Sequence, residues 1–261
     1  MRAERELRQQ RILSSIREQG QARVTELCRL FDASEATIRR DLEELDEAGL
    51  VKRIHGGAIL TQEAADESAI LQRLEKDGAQ KRLIAQAAAS MVRDGDTIFL
   101  GSGSTILYML PFMKERKGIT VVTNSLPVIS RLIEFPDFKT VVVGGVVRKS
   151  ELSFVGHISV RTLEELRADK VFLGIEAIHL DHGLTNSFPE ETMTDRAIVQ
   201  ISSKVVMLAD YSKFNKVHAS YWGPLNMMQV IITDWMTDES VIEQLKAAGV
   251  QVVVVQPENN E

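Results

Sequence analysis

Two stretches of the chain hold residue types whose spacing points to chemistry with an anionic partner. The first is Ser34-Glu35-Ala36-Thr37-Ile38-Arg39-Arg40-Asp41-Leu42. Ser34 suits a helix N-cap, because its hydroxyl can accept an orphan backbone N–H of the first turn. Ile38, Leu42 and Leu45 fall at i, i+4 and i+7 and form one buried stripe. Measured from Ile38 on a helical wheel, Ala36, Arg40 and Thr37 lie about 160°, 200° and 260° round, facing away from that stripe. A helix with a packed back and a front of small, hydroxyl and guanidinium groups suits a DNA major groove. Arg39 sits on the flank, placed for a phosphate rather than a base. The same residues also fit a plain surface helix whose arginines pair with Glu43 and Glu44 at i+4.

The second stretch is Gly101-Ser102-Gly103-Ser104-Thr105, which follows the apolar run Thr97–Leu100 and feeds a helix expected from Ile106. Small residues, hydroxyls and a helix start supply N–H donors and a favourable dipole for an anion, a phosphate above all. No Lys-Ser or Lys-Thr follows, so this is no Walker loop. Ile106 stands where a dinucleotide fingerprint needs Gly or Ala. A ligand-free glycine-rich turn is the alternative. Other strand ends add polar groups: Thr123-Asn124-Ser125, Gly144-Gly145 and Ala209-Asp210-Tyr211-Ser212-Lys213. Together they suggest a pocket for a small phosphorylated molecule, with Lys213 as counter-charge and Arg148 as a further one.

These groups need elements to hold them. Arg8 to Gln19 carries Ile12, Leu13 and Ile16 at helical spacing, and Gly20 suits the C-cap. A second helix is predicted from Val24 or Thr25 to Phe31, with Leu27, Leu30 and Phe31 inward. Asp32-Ala33-Ser34 turns into the third helix, which Gly49 ends. That is a helix-turn-helix. Residues 50–59 then read as a small hairpin, a wing, with Lys52, Arg53, His55 and Gly56 along the DNA backbone or minor groove. Further on, a helix is predicted from Lys81 to Met91. Short apolar strands follow at Thr97–Leu100, Ile119–Val122, Thr140–Val143, Lys170–Leu173, Val205–Leu208, Val230–Ile232 and Gln251–Val255. Apolar runs without alternation mark strands covered on both faces. With helices between them they imply an α/β fold with a largely parallel sheet and ligands at the carboxyl ends of its strands.

A chain of 261 residues has room for two domains. The boundaries read as 4–59 for DNA binding, 60–76 for a linker and 77–256 for an effector-sensing α/β domain. Net charge is −6, and residues 1–60 balance 11 Lys/Arg against 11 Asp/Glu. The positive charge is therefore local, and a homodimer or homotetramer is expected to supply affinity. The single cysteine, Cys28, reads as core filler and suits a reducing cytoplasm. No run approaches 18 apolar residues, and the N-terminus has no apolar signal core, so no membrane partner is expected. His179, Asp181 and His182 read as a loop rather than a metal site, and no cofactor is expected. Glu190, Glu191, Asp195 and Arg196 read as the charged start of a helix behind Pro189. No nucleophile–base pair stands out, so no catalytic set is assigned.

Residues 4–59 resemble the N-terminal domain of the DeoR family of bacterial transcriptional regulators. The family pattern is met by Arg8, Ile12, Ile16, a 17-residue gap, then Ser34, Thr37, Ile38, Arg39, Arg40, Asp41 and Leu42. Its trailing motif appears as Gly49-Leu50-Val51-Lys52-Arg53-Ile54-His55-Gly56-Gly57-Ala58, with a small difference in spacing near Gly49. In the second half Gly-Ser-Thr, Thr-Asn-Ser, Gly-Gly, Phe-Leu-Gly, His-Gly-Leu-Thr and Ala-Asp-x-Ser-Lys-Phe occur in the order expected of that family's C-terminal sensor domain. The resemblance implies a fold like ribose-5-phosphate isomerases and CoA transferases. It also implies a repressor of a carbohydrate-catabolism operon that leaves double-stranded operator DNA when a phosphorylated sugar or sugar acid binds. Ser34, Ala36, Thr37, Arg39, Arg40, Lys52, Arg53, His55 and Gly56 would contact DNA. Ser102, Gly103, Ser104 and Thr105 would hold the phosphate, and Thr123, Asn124, Gly144, Gly145 and Lys213 would complete the pocket. Two departures bear on the sugar: Gly101 replaces a common Asp, and Ile175-Glu176-Ala177 replaces a common Ala-Asp-Gly. The rivals are an activator, or a phosphosugar isomerase with an accessory DNA domain. The latter would need paired carboxylates and a poised lysine, a set the sequence does not visibly assemble.

Overall fold

A computed structural model describes residues 5, 8–9, 11–13, 15–16, 21–47, 50–54, 56–60, 70, 73 and 78–257. The chain divides into two compact units, residues 1–67 and 68–261.

In the first unit the described residues between Arg8 and Ile16 are helical, and Ile12 and Ile16 are fully buried. A helix spans Val24–Phe31, and a second, the expected recognition helix, spans Glu35–Glu47. Asp32 makes the turn between them in the left-handed region, at φ 48°. Short polar side chains tolerate that region better than most. Ile38, Leu42 and Leu45 are buried as one stripe against Ile12, Ile16, Leu27, Val51 and Ala58. Leu30, expected inward, is 63% exposed. The inward stripe of its helix is Val24, Leu27, Cys28 and Phe31, and Leu30 lies about 110° from the centre of that stripe. The helices are pinned by Arg8, whose Nε reaches Asp41 Oδ2 at 2.6 Å and Nη2 reaches Oδ1 at 3.2 Å. The wing is a three-stranded antiparallel sheet, since Gln21–Arg23 joins Gly57–Leu60, which pairs with Val51–Ile54. Gly20, Gly49 and His55 lie outside the described residues.

The second unit is built on a seven-stranded parallel sheet in the spatial order 251–255, 230–234, 205–208, 170–174, 97–100, 120–123 and 139–142. All seven predicted strands are present, shifted by at most two residues at their ends. Alternate residues enter two cores. Phe99, Val171, Leu173, Val205 and Met207 face one side, and Ile98, Leu100, Phe172, Val206 and Leu208 face the other. This accounts for the unbroken apolar runs. From Thr97–Leu100 the chain moves outward to Lys139–Val142, then returns to the opposite flank of Thr97–Leu100 with Lys170–Gly174. The carboxyl ends of these two neighbouring strands form a switch point, where open α/β sheets bind ligands. Five short strands escaped the sequence reading: the hairpin Val146–Arg148 with Ser153–Val155, and the small sheet of Ala177–His179, Gly183–Asn186 and Ser220–Gly223. Ile70 and Arg73, within the expected linker, belong to this unit, and Ile70 is fully buried. Residues 61–69, 71–72 and 74–76 lie outside the described residues.

Candidate functional site

On the recognition helix Ser34 caps the first turn. Its Oγ accepts the Thr37 N–H at 3.2 Å and lies 2.8 Å from Thr37 Oγ1. Ala36, Arg39 and Arg40 are exposed, while Thr37 is half-buried with its hydroxyl engaged by Ser34. Arg39 turns back one turn to Glu35, at 3.0 and 2.6 Å, instead of forward to Glu43. Arg40 is 78% exposed and reaches only to 3.8 Å of Glu44, whose carboxylate is already engaged by Arg5 and Gln9. Arg40 thus projects from the front. On the wing Lys52 and Gly56 are exposed, and Arg53 ties the wing to the helix through Glu43 at 2.9 Å.

In the second unit a cavity of about 530 Å³ opens at the switch point. Ser102, Gly103, Ser104 and Thr105 line it from the end of the first strand, and Gly174, Ile175 and Glu176 from its neighbour. Asp210 and Lys213 enter after Val205–Leu208, Arg148 and Glu151 from the hairpin, and Glu191 and Asp195 from the helix Pro189–Gln200. The helix after the cradle is a single turn, Ser104–Leu107. A helix this short has little macrodipole, so an anion held there would depend on backbone N–H groups and hydroxyls.

Thr123, Asn124, Gly144 and Gly145 do not line this cavity. Thr123 Oγ1 accepts the Ser125 N–H, and the Asn124 amide donates to Phe154 O at 2.9 Å. Gly144 O accepts the Ser159 hydroxyl, and a Cβ on Gly145 would stand 2.2 Å from Ser159 Oγ. Thr123 shapes the turn at its own strand end, and the other three hold the hairpin and its following helix in place. A Cβ on Gly101 would meet Leu173 Cδ2 at 2.4 Å, so Leu173 fills the space that an aspartate would need.

Residues 8–64 match the DeoR-like helix-turn-helix domain, and residues 76–235 match the DeoR C terminal sensor domain. The chain belongs to the DeoR family. Over 227 residues it is 35% identical to an uncharacterized HTH-type transcriptional regulator, FruR, of Bacillus subtilis, covering 87% of this chain and 90% of that one. It is 30% identical over 241 residues to the glycerol-3-phosphate regulon repressor of Escherichia coli K12, covering 92% and 95%. With a putative aga operon transcriptional repressor of Escherichia coli O157:H7 it shares 28% identity, covering 95% and 93%. A solved ribose 5-phosphate isomerase A from Neisseria gonorrhoeae is 18% identical over 51% of this chain and 52% of that one, at a TM-score of 0.38.

This DeoR-family regulator therefore has a DNA-binding domain and a sensor domain. Its sensor cavity holds charged groups that the sequence reading missed. The helix at Pro189 begins as expected with Glu190 and Glu191 in its first turn, but Glu191 turns inward and is buried. Arg148 bonds Glu191 and reaches Glu176 at 3.3 Å. Glu176 also accepts the Ser187 N–H at 2.7 Å, and Asp195 accepts the Asn186 amide at 2.8 Å. Burial pushes the Glu191 carboxyl up to about 7 against the pull of Arg148, and Glu176 and Glu151 add to the rise. Burial and the nearby Glu191 likewise raise Asp195, against the Asn186 bond. Glu176 goes the other way. Although burial opposes it, the Ser187 bonds and Arg148 hold it below the usual carboxylate range. Burial lowers Lys213, and Arg73 and Lys216 add to the fall against the attraction of Asp210. Paired carboxylates and a lysine thus do meet around one cavity, although the sequence did not visibly assemble them. A signal existed: Glu191, Asp195 and Ile198 share one helix face at i, i+4 and i+7, which puts two carboxylates on the apolar stripe. The rings of His179 and His182 lie 4.7 Å apart, tilted by 48°, across the turn before Gly183. Among the described residues no cluster of three metal-ligating side chains occurs, and no helix is long and apolar enough to cross a membrane.

Proposed function

We propose that this protein represses a carbohydrate-catabolism operon and leaves its operator when a phosphorylated sugar or sugar acid fills the sensor cavity. The observation that carries this reading is the polarity of the cavity. Ser102–Thr105 and Lys213 offer donors and positive charge for a phosphate, while Glu176 offers an acceptor for sugar hydroxyls and the buried carboxyls of Glu191 and Asp195 can donate as well as accept. The name of one relative, the glycerol-3-phosphate regulon repressor, links a similar protein to a phosphorylated small molecule and supports this reading. On DNA, Ala36 and Arg40 face the bases, Ser34 and Thr37 brace the first turn, and Arg39, Lys52, Arg53, His55 and Gly56 serve the backbone. A homodimer or homotetramer in the cytoplasm would present paired recognition helices to a palindromic site. To switch usefully, the effector must change operator affinity about tenfold to a hundredfold.

The test is operator release and thermal stabilisation across glycerol 3-phosphate, ribose 5-phosphate and fructose 1-phosphate. At a hundred times its dissociation constant a ligand stabilises by about 2.7 kcal/mol. Lys213→Ala is expected to bind operator normally and to need roughly tenfold more effector or beyond. Release at unchanged effector concentration would remove Lys213 from the phosphate site. The paired carboxylates with Lys213 keep an isomerase in view. In our reading Arg148 holds Glu176 and Glu191 as hydrogen-bond acceptors, so the same sugar phosphates stay unchanged by NMR after long incubation. Turnover of any of them reverses the assignment.

A further inference from the structure

Ile70 and Arg73, early residues of the second unit, stand beside the hairpin at the cavity wall. Ile70 stands ten residues after Leu60, the last residue of the wing, and donates its N–H to Ser150 O at 3.2 Å. Three residues later Arg73 forks onto Glu151, with Nη1–Oε1 at 2.9 Å and Nη2–Oε2 at 2.5 Å. The Glu151 side chain is 7% exposed and that of Arg73 33%. The Arg73 carbonyl accepts Lys81 Nζ at 2.5 Å, so the main chain is held as well as the side chain. Ser150 and Glu151 sit in the turn of the hairpin that carries Arg148. Arg73, Lys81, Arg148 and Glu151 all line the one cavity.

A phosphorylated ligand brings about two negative charges into a space where the Glu151 and Glu176 side chains already stand. A guanidinium fork accepts a carboxylate or a phosphate in the same bidentate geometry. Glu151 and a ligand oxyanion are therefore alternative partners for one fork, and they repel each other. We propose that Arg73 is an effector-binding residue, and that the effector takes its fork from Glu151, so that the segment joining the two domains reads the cavity directly. This rests on the cavity being a sugar-phosphate site. No contact between the two domains is needed, because the chain itself carries the change: the fork that leaves Glu151 belongs to the connector.

Opposite signs test it. In the full-length protein, Arg73→Gln and Glu151→Gln are titrated calorimetrically with glycerol 3-phosphate, ribose 5-phosphate, fructose 1-phosphate and inorganic phosphate. Arg73→Gln is expected to weaken the tightest of these roughly tenfold or more, the worth of a lost charge-assisted bond. Glu151→Gln is expected to tighten it several-fold, because the competitor has lost its charge while keeping its shape. An ion pair that merely anchors the connector would give the same sign from both sides, and that result overturns the proposal. Arg73→Lys keeps the charge without the fork, stands in if Arg73→Gln fails to fold, and should lose affinity by a smaller factor. Lys213→Ala separates the two readings. If it abolishes binding while both bridge variants bind as wild type, the Arg73 proposal falls and the cavity assignment stands. If wild type binds none of the four probes, the cavity assignment falls and takes the Arg73 proposal with it.

Discussion

The recognition helix and the cavity of the sensor domain both carry arginines, and they hold them in opposite ways. On the helix Arg39 and Arg40 stand in water and pair, if at all, with glutamates one turn away. In the cavity Arg148 and Arg73 are tied to carboxylates that are largely out of water. Exposed charges cost little to hold and little to lose. Buried ones are expensive to desolvate, so removing one partner strands the other. The exposed arginines are thus free to meet a phosphate at little cost, whereas a ligand entering the cavity would have to take partners that are already engaged. A receptor of the second kind discriminates, because only a ligand that replaces those bonds is accepted.

If burial rather than domain makes this difference, the largely buried pair of Arg8 and Asp41 in the DNA-binding unit must behave like the cavity. Arg8→Ala strands Asp41, which is 1% exposed, and is expected to cost about 3–5 kcal/mol. Calorimetry should show the DNA-binding unit melting far lower, with operator binding lost. A loss under 1 kcal/mol would mean that burial does not govern these charges. Next in size is Glu191, which keeps its proton in the folded protein up to about 7, while an unfolded glutamate ionises near about 4.3. Between those values the folded state holds more protons, so stability falls as pH rises, by roughly 2–4 kcal/mol. Glu191→Gln should flatten that slope and be the more stable form at pH 8. A slope unchanged by the substitution would assign it to another group, Asp195 first.

The same contrast decides what was legible in the sequence. The recognition helix could be read because its stripe and its exposed face lie within twelve residues of one another, at a fixed period. The seven sheet strands could be read because burial on both faces leaves unbroken apolar runs. The cavity was half legible. Ser102–Thr105 sits at a strand end in a recognisable form, but Arg148 finds Glu191 43 residues away, and Arg73 finds Glu151 78 away. No local pattern encodes such pairs. Thr123 and Asn124 show the converse. A polar residue at a strand end looks alike whether it serves a ligand or a turn, and these two serve the Ser125 N–H and the Phe154 carbonyl. Strands such as Gln21–Arg23, three residues long with two of them exposed, hold too few apolar positions to show a period.

On the DNA face the larger effect belongs to Arg40. Its side chain is the most solvent-exposed of the helix's two arginines, at 78% against 55% for Arg39. Arg40→Ala should cost operator affinity about 1–3 kcal/mol if Arg40 reads a base. It should narrow the gap between operator and random DNA, with no change in melting temperature. Equal loss on both DNAs would make Arg40 a phosphate contact.

The smallest effect, and the sharpest contrast with Arg8, is Arg39→Ala. Arg39 and Glu35 are both more than half exposed, at 55% and 59%, and an exposed i,i+4 pair contributes only about 0.3–0.5 kcal/mol. The fold should scarcely register its loss, although its 2.6 Å contact with Glu35 is as short as that of Arg8 with Asp41. Distance alone does not rank the two bridges; the solvent around them does. On DNA, Arg39 must leave Glu35 to meet a phosphate, an exchange that water makes easy. The variant should lose affinity equally for operator and random sequence, and its salt dependence should become shallower by about one unit of slope. A loss confined to operator would move Arg39 to the base-reading face. A melting point several degrees lower would show that this exposed pair holds the helix as the buried one does.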